Sequence, residues 1–196
     1  MKIPQLAKQI KEESGPVPLS EVLIYKHNFI KIDDSKIYRR VRIKIHRQGM
    51  VLRDEVKGYE IKTKSQQVCK ANQFLVAEID AKVGGYGIVP ENLEGTIVSS
   101  HYFLFDIDNK KIDLNYFDTF IKTDLFFSQI KAEGSTNYAS IRPKDILKIN
   151  IPLPSLEDQK IIASKINCFF NVKEELCTIH NKNESYISKL RQQILQ

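Results

Sequence analysis

Beyond Ser155 the chain is patterned for one very long helix. Apolar residues recur at Ile162, Ile166, Phe169, Val172, Leu176, Ile179, Tyr186, Leu190 and Ile194, in steps of three and four broken only where Asn183 takes a seam position. That period is helical, and it predicts a helix of about 40 residues, or ~60 Å. A single globular domain cannot cover a stripe of that length. The pattern therefore predicts a coiled coil with another helix, in a partner or in a second copy of the chain, through Ile162, Ile166, Phe169, Leu176, Ile179 and Leu190. Asn183 is the kind of seam residue that fixes register at some cost in stability. A frayed tail is the plainer alternative. The start is sharply marked: Ile149 and Ile151 end a strand, Pro152 and Pro154 block any earlier helix, and Ser155 with Asp158 forms an S-x-x-D cap. Glu157 and Asp158 also suit the positive end of the helix dipole.

The preceding residues read differently. Ile3, Leu6, Ala7 and Ile10 lie at helical spacing and Gly15-Pro16 stops the pattern, which predicts a short amphipathic helix over 2–13. From Pro18 to about Ile151 the texture is mostly β. RRVRIKIHR alternates, with Val41, Ile43 and Ile45 on one face and Arg40, Arg42, Lys44 and His46 on the other. NQFLVAEID and GTIVSSHYFLFDID are richer in apolar residues and predict more deeply buried strands. One helical island, LNYFDTFIKTDLFFSQIKAEG, sets Phe117, Phe120, Ile121, Leu125 and Phe127/Ser128 on one side and closes at Gly134. The expected fold class is α+β: a β-rich domain with a helical insertion over 1–153, then a helix over 154–196.

Charge is unevenly placed. The chain carries +6 overall, yet Lys26 to Lys70 holds 13 Lys/Arg against 5 Asp/Glu, so this segment exceeds the whole-chain charge. A basic segment inside a folded domain suits a polyanion, most often nucleic acid; a merely solvated basic face is the bland reading. The cysteines Cys69, Cys168 and Cys177 show no metal or redox spacing. The last two would lie ~13 Å apart along one helix, too far to bridge. With no signal-peptide pattern and no apolar run near the ~20 residues that span a bilayer, a cytoplasmic location is expected.

The junction also carries a resemblance. ILKINIPLPSLEDQKIIASKI is similar to the stretch in the DNA specificity subunit of type I restriction–modification systems where an I-P-L-P-type strand end meets a Leu-acid-x-Gln-x-x-Ile helix start. The matching residues are Ile151, Pro152, Leu153, Pro154, Leu156, Glu157, Gln159 and Ile162; Asp158 stands where that family more often has Glu. GSTNYASIRPKDILKI, FLVAEIDAKVGGYGIVPENLEGTIVSSHYFLF and VPLSEV resemble family segments upstream. The resemblance covers most of residues 18–175, and its most specific part is the Pro/Leu/Gln junction. It implies a target recognition domain followed by a spacer helix. Such subunits typically carry two of these units with their helices antiparallel, whereas no internal repeat is found here. The implied form is half-length, completed by a homodimer or by a separate chain. Implied partners are double-stranded DNA, methyltransferase subunits and a restriction subunit. No cofactor is expected on this chain; S-adenosylmethionine, ATP and Mg would sit on the partner subunits.

Candidate DNA-binding residues follow from the basic segment and two polar loops. Cations on alternate strand positions recur every ~6.8 Å, close to the phosphate spacing along one DNA strand, which nominates Arg40, Arg42 and Lys44, extended by Arg39, Arg47, Arg53, Lys62 and Lys64. Tyr86, between Gly85 and Gly87, is expected to be exposed and able to stack; an ordinary turn tyrosine is the alternative. Ser135, Thr136 and Asn137 form a polar loop, and Asn suits bidentate contact with adenine, although a capped turn explains the same residues. No Asn/Asp-Pro-Pro-aromatic run and no Walker spacing is present. Glu78, Asp80 and Lys82 would share a strand face like a metal-dependent nuclease signature, a rival reading beside membership of another DNA-methylation or defence system. His27, His46, His101 and His180 lack ligand spacing, and no metal site is expected.

Overall fold

A computed structural model of the chain describes residues 15–130 and 140–194, and within the last helix some side chains fall outside that description. The helix expected over 2–13 and the loop Ser135–Asn137 lie outside the described residues. The architecture is α+β with mixed sheets. Strands β1 (Pro16–Pro18), β2 (Leu23–Lys26), β3 (Phe29–Lys31), β4 (Ile37–Ile43), β5 (Met50–Lys57), β6 (Ser65–Val68), β7 (Phe74–Ala77), β8 (Tyr86–Ile88), β9 (Ile97–Val98), β10 (Tyr102–Ile107) and β11 (Asn150–Pro152) build three sheets. The helices are α1 (Leu114–Ile121), α2 (Asp124–Phe127), α3 (Pro143–Ile146) and α4 (Leu156–Ile194).

The central layer is a four-stranded antiparallel sheet in the order β2-β10-β7-β8. All four residues of β7 are buried because both faces of this sheet are covered. Phe74 and Val76, with Phe103 and Phe105 of β10, face a large core shared with the helices. Leu75, Ala77 and Leu104 face a second core formed with Val41, Ile43 and Met50. Strand alternation sends successive side chains to opposite layers, so a two-sided strand needs an unbroken apolar run. The outer layer is the five-stranded sheet β3-β6-β9-β4-β5, in which β9 runs parallel to β4 and the other pairs are antiparallel.

Two expectations need correction. RRVRIKIHR is not one strand: β4 stops at Ile43, and the chain turns through His46 (φ 60°), Arg47 (φ 62°) and Gly49 (φ 72°), leaving Ile45 exposed. The Lys44 amide closes this turn by donating to the Gly49 carbonyl at 2.7 Å. The helical island is two helices, not one. It breaks at Lys122-Thr123, and Thr123 caps α2 by accepting from the Phe126 amide at 3.2 Å. The restart changes the phase, so Phe126 is fully buried and Leu125 is exposed.

The junction behaves as its sequence predicts. Ile149 and Ile151 are buried, and β11 pairs antiparallel with β1 at Val17↔Ile151. The side-chain amide of Gln129 extends this small ladder, accepting from the Asn150 amide at 2.9 Å and donating to its carbonyl at 3.0 Å. Ser155 and Asp158 close the cap: Ser155 Oγ accepts from the Asp158 amide at 3.2 Å and donates to Asp158 Oδ2 at 2.6 Å. Gln159 is wholly buried. Its Oε1 accepts from the Asp113 amide at 2.7 Å, and its Nε2 donates to the carbonyls of Pro154 at 2.8 Å and Lys111 at 3.2 Å. Beside it the Tyr116 hydroxyl donates to the Pro152 carbonyl at 2.7 Å, and burial pushes that phenol up to about 12. Ile162 and Ala163 lie in the large core and Ile166 packs against it. Farther along, Phe169, Val172, Leu176, Ile179, Tyr186 and Ile187 are exposed; the side chain of Leu190 is outside the described set. No described helix is long and apolar enough to cross a membrane.

Replacing Gln159 with Leu should destabilise the fold by about 2–3 kcal/mol, because the backbone groups it serves lose their partner at a dry site. The readout is the urea midpoint, compared with Lys160→Leu at the exposed neighbouring position, which should change little.

Candidate nucleic-acid interface

The basic segment sorts into cations that hold the fold and cations that face solvent alone. Cross-strand pairing decides much of the sorting. β4 and β5 align Arg39 with Glu55 and Arg40 with Asp54, with a bulge after that pair where Arg53 is the extra residue. Arg40 is engaged in two parallel hydrogen bonds to the Asp54 carboxylate, both 2.7 Å. The pair is mutually tuned: Arg40's hydrogen bonds hold the Asp54 carboxyl below its ordinary range, and Asp54's raise the Arg40 guanidinium. Arg53 leans on the same carboxylate at 3.4 Å. Arg39 donates to the Asn92 carbonyl at 2.7 Å and lies 3.7 Å from Glu55. Lys64 is bonded to Asp34 and to the Gly58 carbonyl.

Arg47 is the most constrained of the set. Its Nη1 donates to the Lys122 carbonyl at 3.0 Å and to Asp124 Oδ1 at 2.8 Å, and its guanidinium lies 5.2 Å from the centre of the Phe127 ring. Among the described residues, Arg42, Lys44 and Lys62 have no carboxylate partner, and Arg42 and Lys62 are exposed. The continuous cationic row expected over Arg40–His46 is therefore shorter: Arg40 is paired, and the strand ends before Lys44.

Tyr86 corrects an expectation. It is 2% exposed, its ring packs on Phe126 at 5.0 Å between centroids, and burial raises its phenol while the Arg47 charge opposes the rise. The flanking glycines do not lift it outward; they let two backbones meet. At Gly85 a Cβ would sit 2.6 Å from Asp80 Cβ and at Gly87 3.3 Å from Gly49 Cα, while at the preceding Gly84 (φ 83°) it would sit 2.7 Å from the Arg47 amide nitrogen. The hairpin turn uses this opening, with the His46 amide donating to the Val83 carbonyl at 2.6 Å and the Arg47 amide to the Gly84 carbonyl at 2.9 Å. A cleft of about 350 Å³ lies between this turn and α1, walled by Arg47, Gln48, Tyr86, Asp118 and Lys122.

Glu78, Asp80 and Lys82 do not share a strand face. β7 ends at Ala77, Asp80–Val83 forms a 3-10 turn, and Glu78 bonds His101 Nδ1 at 2.7 Å. Among the described residues no group of three His, Cys, Asp or Glu side chains could hold a metal ion. Cys69 is buried, which pushes its thiol up to about 11, and Cys168 is exposed on α4. The carboxylates that engage the cations were not anticipated from sequence. Asp54 and Glu55 become legible once β4 is paired with β5 across the turn; Asp124 lies 77 positions from Arg47 and gives no local signal.

Comparison with known proteins places the whole arrangement in context. Residues 11–185 match the family described as the type I restriction modification DNA specificity domain. The MjaVIII specificity subunit of a type I restriction enzyme from Methanocaldococcus jannaschii is 28% identical over 134 residues, 66% of this chain and 31% of that protein. The HsdS subunit from Thermoanaerobacter tengcongensis superposes with a TM-score of 0.71 at 19% identity, over 84% of this chain and 44% of the other. A chain from a structure describing assembly and conformational transition of the type I R-M system superposes at 0.75, also at 19% identity, over 92% and 48%. The chain thus spans about a third of the curated relative and under half of each solved chain.

The Arg40–Asp54 pair generates a pH test. A carboxyl held below its ordinary pKa stabilises the fold above about pH 4 and loses that contribution as pH falls through its folded value. Asp54→Asn should lower stability near neutral pH by less than about 1 kcal/mol, since the pair is partly exposed. The difference from wild type in urea midpoint should shrink toward zero below pH 3.

Proposed function

This chain belongs to the type I restriction modification DNA specificity family, and we propose that it is the sequence-reading subunit for one half of a bipartite DNA target. In this reading the β-rich domain binds double-stranded DNA and α4 sets the distance to a second recognition domain. The carrying observation is the division of labour among the cations: Arg39, Arg40, Arg47 and Lys64 are spent on internal partners, while Arg42, Lys44 and Lys62 stay available to phosphates. Phosphate contacts fix register, and base edges supply sequence.

The uncovered stripe on α4 supports a helical partner. Val172, Leu176 and Ile179 continue the seam at exposed positions beyond the part of α4 that lies in the core. A second copy of the chain is the simplest partner, paired in a coiled coil through Phe169, Leu176, Ile179 and Leu190; Ile162, expected in the same seam, is instead taken up by the chain's own core, with Ile166 packed against it. A two-fold dimer reads a two-fold site, so the target would be an inverted repeat with a fixed spacer. The chain carries no chemistry in this reading. Methyltransferase subunits holding S-adenosylmethionine dock on the helical region, an ATP- and Mg-dependent restriction subunit joins them, and the complex works in the cytoplasm.

Purification together with the methyltransferase subunit of its own system, followed by genome-wide mapping of methylated adenines, tests the reading. A bipartite inverted motif is expected; absence of any motif, or failure to co-purify, contradicts it. Light scattering at micromolar concentration should report a dimer, and the double substitution Leu176→Asp, Ile179→Asp should give monomer with an unchanged β signal in circular dichroism. A wild-type monomer would refute the self-pairing helix.

A further inference from the structure

We propose that the tip of the β4–β5 hairpin, His46–Gln48, is the element that reads base edges, with Gln48 as a specificity-determining residue and Arg47 as a positioning residue that holds the tip without touching DNA. The inference rests on the DNA-reading function above and assigns it to particular side chains. His46 and Arg47 are consecutive non-glycine residues in the left-handed region, a conformation that side chains seldom adopt even singly. Such a conformation persists only where surrounding contacts over-determine it, and it clusters at functional sites.

Here the contacts are in place. The two strained amides are tied to the Val83 and Gly84 carbonyls, and the Arg47 guanidinium is held by the Lys122 carbonyl, the Asp124 carboxylate and the Phe127 ring. Five anchors from two separate segments hold two residues, His46 and Arg47, and so set the path of the tip. The side chains at positions 46 and 48 are exposed and have no hydrogen-bond or ion-pair partner among the described residues. The unpaired Arg42 and Lys44 lie just before them in the chain. A two-stranded ribbon fits the DNA major groove, and a glutamine amide matches the donor and acceptor of adenine there. Cations beside such a tip meet phosphates and orient it. Arg47 is excluded from that role by its own bonds, since reaching DNA would undo the clamp that shapes the tip.

The experiment uses the full chain in complex with its methyltransferase subunits and a duplex pool with a randomised core as the probe. Wild type should select a motif. Gln48→Ala should lose roughly tenfold or more of the discrimination at one base-pair position and leave the others intact. Arg47→Ala should blur several positions at once while the dependence of affinity on salt keeps its slope. Asp124→Ala, at an exposed carboxylate, should blur the same positions to a smaller degree because it removes one of the three holds on the guanidinium. If Arg47 instead contacts phosphate, its loss lowers the slope by about one and Asp124→Ala tightens binding; that pattern overturns the proposal. A selected motif that survives both Gln48→Ala and His46→Ala also overturns it and leaves the DNA-reading function standing. A wild-type complex that selects nothing removes both.

Discussion

The fold turns on one buried amide. Gln159 sits in the first turn of α4 and bonds the Asp113 amide and the Lys111 and Pro154 carbonyls. It thereby joins three pieces of chain: the end of the last strand, the start of the long helix and the loop that opens α1. An apolar residue there would leave polar backbone groups without partners in a dry site, and a charged one would be buried unpaired. An amide supplies one acceptor oxygen and two N–H donors, which matches the one accepted and two donated bonds here. This gives a physical reason for glutamine in the junction motif. The neighbouring bond from Tyr116 to the Pro152 carbonyl takes up an acceptor that a proline-broken strand end leaves over.

Around this point the domain is layered. The four-stranded sheet is shared by two cores, so its strands carry large apolar side chains on both faces, and the five-stranded sheet covers one face while the helices cover the other. The other side of the five-stranded sheet carries a third, smaller core around Ile32, Ile61 and Ile97, and Arg40 and Asp54 pair at its margin. Basic residues in the segment therefore have two uses: some complete cross-strand pairs, and others carry the excess charge.

Much of this was legible in the sequence, for identifiable reasons. The cap at Ser155, the strand containing Phe74–Ala77 and the long α4 depend on local signals: a hydroxyl followed by an acid, an unbroken apolar run and a sustained helical period. What escaped depends on non-local contacts. RRVRIKIHR alternates beyond the end of β4, but the chain leaves the sheet because the 79–85 segment offers carbonyls to His46 and Arg47. Tyr86 between glycines looked exposed, yet those glycines serve backbone packing and the ring belongs to the core. Pairing of cations with Asp34, Asp54 and Asp124 is likewise a property of the folded surface. Net charge in a window counts cations without saying which are occupied.

The latch at the base of α4 has a mechanical consequence. A helix of 39 residues is a rod of ~58 Å, so each degree of tilt at its root carries the far end about 1 Å sideways. Base pairs follow one another every 3.4 Å along the duplex. If α4 sets the distance between two DNA-reading domains, as proposed, slack of roughly three degrees at the root equals one base-pair step, and the far end is placed only as well as the first turn keeps its angle. Stiffness at Gln159 is leverage, and the accuracy it confers is realised some ten helical turns away.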